Sequence, residues 1–161
     1  MKQRVTDEIV RFVSESPANC LPGCSTPYYD SPLTGFASVV DPLFTSYKTI
    51  IGDFHLTPGD LFTGEFGESL SSGTVVSWIL PISEAVRKSN RHEQEYPSRE
   101  WAQQRNFGEM VNSALRRYLV EWLTSQGYRT VAPQLSPLWQ EFAETPKGRA
   151  STWSERHAAY A

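Results

Sequence analysis

One stretch constrains the fold more than any other: Thr74-Val75-Val76-Ser77-Trp78-Ile79-Leu80-Pro81. Apolar and β-branched residues follow one another without strict alternation, and a proline closes the run. That pattern predicts a central strand with both faces covered. Such a strand needs helices over it, and the following residues supply them. Ser83 is placed to cap a short helix, and the polar Lys88–Pro97 segment reads as a loop. Ser98 then caps a long helix running to Gln126, with Val111, Leu115, Tyr118, Leu119, Trp122 and Leu123 as its apolar stripe and Gly127 as its stop. Tyr128-Arg129-Thr130-Val131-Ala132-Pro133 reads as a second strand. Ser136-Pro137 restarts a helix to about Phe142, and Glu144–Ala150 is a turn-rich break. The order predicts an α/β fold, with α+β as the alternative: a small central sheet covered by helices, with one long amphipathic helix between two strands.

The residues before the strand predict shorter elements. Val5, Ile9, Phe12 and Val13 share one face of a first helix over Val5–Ser14, which Pro17 ends. A proline-rich connection runs from there to Gly35. Asp41-Pro42 and Thr57-Pro58 each set a capping side chain before a proline at the first helical position, which predicts helices over Pro42–Ile51 and Pro58–Phe62. Gly64–Gly73 reads as exposed. At the other end, Thr152-Trp153-Ser154-Glu155 reads as a capping box that opens a last helix. No glycine, proline or basic turn stops that helix before Ala161, so the chain is expected to be a fragment of a longer one. With 161 residues, it fits a single domain, residues 1–161, able to bury a core without staples.

Charge and composition exclude several classes. Fifteen basic against 18 acidic residues leave a formal charge of -3, so no net field draws the chain toward nucleic acid or anionic lipid. No apolar run approaches the ~18 residues of a spanning helix, and Met1–Glu8 lacks a secretory apolar stretch. A soluble cytoplasmic domain is expected, with no membrane partner. Two cysteines, Cys20 and Cys24, are too few for a structural zinc site or an iron–sulfur cluster. They read as free loop thiols, or else as a redox pair lacking the helix start that acidifies such thiols.

Charged clusters elsewhere carry less. His92-Glu93-Gln94-Glu95 sets an imidazole beside two carboxylates in a loop, outside the helical spacing of a zinc protease, and reads as solvated. Arg87-Lys88 and Arg116-Arg117 read as solvated helix faces, and the five tryptophans as core material.

The stretch Ala150-Ser151-Thr152-Trp153-Ser154-Glu155-Arg156-His157-Ala158-Ala159-Tyr160-Ala161 resembles the segment that leads into the iron–sulfur half of epoxyqueuosine reductase-like proteins. Ser77–Pro81, the helix from Gln104-Arg105-Asn106-Phe107-Gly108 to Leu123, and Tyr128–Pro133 support the match by order and spacing. The resemblance covers about the last 90 residues well. It implies the N-terminal, cofactor-side domain of an iron–sulfur oxidoreductase. In that family this domain holds cobalamin, and a C-terminal ferredoxin-like domain with two 4Fe-4S clusters, absent here, feeds it electrons to reduce an epoxide on a tRNA base. Cobalamin, a flavin or no cofactor all remain open for this chain, and tRNA enters only by analogy. Ser77, Arg105, Asn106, Arg156 and His157 are the candidate cofactor-binding residues on this resemblance; no catalytic residue is assigned. Matching Ala132-Pro133 to the family's Ala-Pro places Thr130 where the family has an acid, and threonine cannot deliver a proton near neutral pH. The competing expectation is a non-catalytic binding or interaction domain that keeps the fold. Without its cluster domain, the chain is expected to pair as a twofold dimer through Trp153 and Tyr160.

Overall fold

The computed structural model describes residues 1–23 and 25–161. The fold is mixed α/β with one long helix, and helix dominates. In chain order the elements are α1 (Lys2–Glu15), β1 (Leu33–Ser38), α2 (Pro42–Ile50), α3 (Pro58–Phe66), β2 (Thr74–Ile79), α4 (Glu84–Arg91), α5 (Arg99–Ser125), β3 (Glu141–Phe142), β4 (Ala150–Ser151) and α6 (Glu155–Tyr160). The strands form two small antiparallel sheets, β1 with β2 and β3 with β4. In the second, Glu141 faces Ser151 and Phe142 faces Ala150. The chain divides into two compact units, Met1–Thr34 with Trp78–Trp122, and Gly35–Ser77 with Leu123–Ala161.

In the first unit, α1 buries Val5, Ile9 and Val13 along one face. Phe12 stacks on Tyr118 of α5 with ring centroids 4.8 Å apart. Leu21, Tyr28, Val86 and Val111 form a second apolar cluster, with Trp101 and Ile82 packed on it. The long connection after α1 is held by Asn19, 4% exposed. Its Nδ2 donates to the carbonyls of Val13 and Tyr29 at 3.0 and 3.1 Å, and its Oδ1 accepts the Tyr29 amide at 3.0 Å. That buried amide works beside a single antiparallel bridge, Tyr29 to Ile82, flanked by the Asp30 amide on the Pro81 carbonyl and the Ser83 amide on the Tyr28 carbonyl, each at 2.9 Å. Ser98 does cap α5, accepting the Trp101 amide at 3.1 Å. At the far end Gly127 takes φ +85°, a conformation that glycine adopts without a Cβ penalty, and the Tyr128 amide donates back to Leu123 at 3.1 Å.

In the second unit the core is Phe44, Tyr47, Leu61, Trp153 and Ala158, with Val75, Val131 and Leu138 packed against it. Both prolines start their helices as expected. Asp41 accepts the Leu43 amide at 2.9 Å, and Thr57 and Asp60 form a reciprocal capping box.

Several elements depart from the sequence expectations. β2 is one of only two strands in its sheet and has no fully buried residue, so it is not a central strand; Ile79 is exposed. Its apolar run is half-covered by local packing instead. α3 continues past Phe62 through Phe66, into a stretch that is nearly all exposed as expected, and α4 runs to Arg91 through residues expected to be a loop. Tyr128–Ala132 has no regular secondary structure, and a 3-10 turn at Pro133–Leu135 follows. Arg129 is instead clipped over the rings of Phe62 and Phe66, at 4.9 and 5.6 Å, and paired with Glu68 at 2.8 Å. No helix forms over Ser136–Phe142: Ser136 Oγ accepts the Leu138 amide at 3.1 Å and bonds Glu65, closing a turn rather than opening a helix. The chain then enters β3.

Thr152 is not the cap of α6. Its hydroxyl donates to the Leu138 carbonyl and accepts the Gln140 amide, both at 3.0 Å, and Ser154 holds the cap position. Arg116 is 4% exposed rather than solvated. Its guanidinium reaches Ser113 at 3.4 Å and Glu109 at 3.5 Å, one and two turns earlier on α5. Trp153 is 7% exposed and belongs to the core, so it offers no surface for pairing; Tyr160, 81% exposed, does. Cys20 is a free, half-buried thiol, and Cys24 lies outside the described residues. No helix among the described residues is long and apolar enough to cross a membrane.

Candidate functional site

The densest gathering of polar and aromatic groups in the second unit centres on His55. Gly52, at φ +153°, lets the chain turn after α2, and the His55 amide closes that turn on the Gly52 carbonyl at 2.9 Å. The turn directs the imidazole inward, where it is 1% exposed. It lies parallel to Trp153 at 5.9 Å and meets Tyr47 edge-on at 6.0 Å. Its Nε2 accepts the Ser154 amide at 3.1 Å, and its Nδ1 has no partner. Burial first, then the neighbouring His157 and Lys48, push its pKa down from 6.5 to about 4. The ring is therefore neutral at neutral pH, with its proton on Nδ1.

His157 sits on the other side of Tyr47. The Tyr47 hydroxyl donates to the His157 carbonyl at 2.8 Å, and the two rings meet at 5.0 Å. Burial, then the Asp41 and Tyr160 charges, raise the Tyr47 phenol above its ordinary range, so it remains a donor. His157 Nδ1 lies 2.7 Å from Ser154 Oγ. Serine at the cap with histidine three residues on thus pairs side chain to side chain, where a capping box would pair each with backbone. The half-buried hydroxyl and imidazole share this hydrogen bond.

Of the residues expected from sequence, Ser77 and His157 are brought together. Ser77 is half-buried and its Oγ donates to the carbonyl of Ala158, beside His157, at 3.3 Å. Arg156 is exposed on α6. Arg105 and Asn106 are exposed on α5 and belong to the first unit. Thr130 is half-buried. Glu141 is exposed and paired with Arg149 at 3.0 Å. His92 and Glu93 lie on an exposed loop, as expected. His55 and Tyr47 were not singled out by sequence reasoning. A lone histidine between two proline-started helices carries no periodic signal, and only the glycine three residues before it hints at a turn.

A second feature lies in the first unit. A cavity of about 190 Å³ is lined by Val10, Val13, Asn19, Tyr29 and Asp30 among others. Two of its polar groups are already engaged: Asn19 holds backbone, and Asp30 accepts the Glu84 amide at 2.9 Å with Arg87 3.5 Å away. Among the described residues no group of three or more histidines, cysteines and carboxylates is placed to hold a metal ion. No family model, curated protein or solved structure matches the chain.

Proposed function

We propose that this chain is the cofactor-side, N-terminal domain of an iron–sulfur oxidoreductase similar to epoxyqueuosine reductase, acting in the cytoplasm. The observation that supports the reading is convergence. Three of the four stretches on which the resemblance rests meet around one core: Ser77 bonds to Ala158, and Val131 packs on the cluster that holds Trp153 and Ala158.

The 4Fe-4S clusters do not fit this chain. Each cluster takes four thiolates, and the sequence has two. In this reading a separate cysteine-rich domain, the principal partner, holds them. Cobalamin is the cofactor that this domain would share. Its amide and phosphate groups ask for donors, and Ser77, Arg156 and His157 of the second unit are of the right type to provide them. Arg156 is not paired with a carboxylate among the described residues, so its guanidinium is available. A corrinoid, when bound, would supply the redox-active metal centre.

Thr130 favours the second reading, a binding domain without redox activity, because no acid stands at that position. Anaerobic purification of the complete gene product separates the two. Corrinoid and cluster absorbance, with hydroxocobalamin affinity lowered in Arg156→Ala, is the expected result. A product with neither chromophore, and no affinity for hydroxocobalamin, would establish the second reading and end the first.

A further inference from the structure

His55 is a buried titratable group to which the proposed function assigns no part. An imidazole nitrogen that accepts a hydrogen bond carries no proton, so the Ser154 contact requires a free lone pair on Nε2. The neutral ring already has its proton on Nδ1. A second proton has only Nε2 to bind, where it would meet the Ser154 N–H head-on. Protonation and the Ser154 contact therefore exclude each other.

Thr152 is anchored on its own account, by the Leu56 amide on its carbonyl at 2.8 Å and by its bonds to Leu138 and Gln140. From Ser154 onward the bonds to the rest of the unit among the described residues are fewer: besides the His55 contact, Tyr47 donates to the His157 carbonyl and Ser77 to that of Ala158. A cationic ring at 1% exposure would be cut off from water, a cost that its attraction to the parallel Trp153 face offsets only in part. The charged and titratable groups around the ring offer no compensating anion. Lys48 of α2 is itself paired with Asp60 of α3 at 2.9 Å, His157 of α6 is a second imidazole, and Tyr47 remains a neutral phenol.

We infer that His55 is an acid-sensitive latch: uptake of one proton by its ring releases the segment beginning at Ser154 from the core of the second unit. The sign follows from linkage. The docked form takes up its proton only near pH 4, whereas a released, hydrated imidazole does so near 6.5. Between those values the released form binds more protons, so docking weakens about tenfold for each unit that the pH falls. Above 6.5 the latch is closed and insensitive to pH.

Hydrogen exchange followed residue by residue on the whole chain, from pH about 7 to about 4, tests this. After correction for intrinsic exchange, protection of the Ser154 amide should fall about tenfold per unit below 6.5. Leu115 in the first unit should keep its protection over the same range. His55→Gln, whose side-chain oxygen can accept the same amide without titrating, should remove the slope. Protection of Ser154 that stays flat in the native chain overturns the latch. So does simultaneous loss at Leu115, which would mark acid unfolding of the whole chain. Should His55→Gln fail to fold, the titration of the native His55 ring by NMR decides. Its midpoint must coincide with the loss of the Ser154 contact, and a ring that titrates while the contact persists refutes the proposal.

Discussion

Ser77 and Ala158, 81 positions apart, are joined by one hydrogen bond, from the serine Oγ to the alanine carbonyl at 3.3 Å. The bond ties the end of β2 that lies in the second unit to α6, a helix too short to be stable alone. Carbonyls of a six-residue helix have few partners within it, so an outside hydroxyl satisfies one of them.

Ser77→Ala should therefore cost about 0.5–1.5 kcal/mol, the net worth of one hydrogen bond. Chemical denaturation gives the number. Exchange of the amides of α6 should rise with it, while a loss below the error of the measurement would mean that the contact carries no weight.

Trp153 is expected to be worth more. It is buried, lies parallel to Phe44 at 6.2 Å and to His55 at 5.9 Å, and closes the core of its unit. Trp153→Ala should cost about 3–5 kcal/mol, and Trp153→Phe much less because most of the volume remains. Thermal melts of the two variants against the native chain test the order.

How much of this was legible beforehand depended on whether the signal was local. The proline starts at Asp41-Pro42 and Thr57-Pro58, the Ser98 cap and the Gly127 stop are each set by two or three adjacent residues, and all four stand in the structure. The stretch from Tyr128 to Phe142 was misread because its conformation is decided by distant partners. Arg129 is drawn to Phe62 and Phe66, Ser136 to Glu65, and Thr152 to Leu138 and Gln140. Arg116 was misread because charge alone predicts exposure, whereas this guanidinium is buried with Ser113 and Glu109 as polar contacts. The candidate site divides likewise. Ser77 and His157 were found through the resemblance, but His55 is defined by what packs around it, which no pattern along the chain encodes.

The surface of α6 makes a prediction about assembly. With Trp153 buried, Tyr160 is the large aromatic that α6 exposes to solvent. If the chain pairs through this helix, Tyr160→Ser should shift sedimentation at micromolar concentration toward the monomer and leave the melting temperature nearly unchanged, since an exposed side chain adds little to the fold. Identical sedimentation of the two proteins would show that α6 takes no part in pairing.

Arg129 is expected to act as a clasp. Its guanidinium lies over two phenylalanine rings and pairs with Glu68, all within the second unit. Arg129→Lys keeps the charge but loses the planar stack, so it should recover only part of the ~1 kcal/mol that Arg129→Ala removes. Full recovery by lysine would assign the effect to charge alone.

Gly108 is the sharpest steric test in the first unit. It lies inside α5, where alanine would ordinarily favour the helix by about 1 kcal/mol. An added Cβ, however, would fall within the contact distance of Tyr29 Oη and 2.8 Å from Gln104 Nε2. Neither neighbour moves easily. The Tyr29 hydroxyl accepts from Gln104 Nε2 at 3.0 Å, and Gln104 is 4% exposed with its Oε1 already unpartnered. Overpacking of this kind costs about 1–3 kcal/mol, which exceeds the helix gain. Gly108→Ala should thus destabilise the chain despite its better propensity. Tyr29→Phe removes the atom that clashes most, so Gly108→Ala should cost less in that background than in the native one. Denaturation of the four proteins in a double-mutant cycle measures the coupling. Additive effects would show that Tyr29 yields freely and that the glycine answers to no close approach.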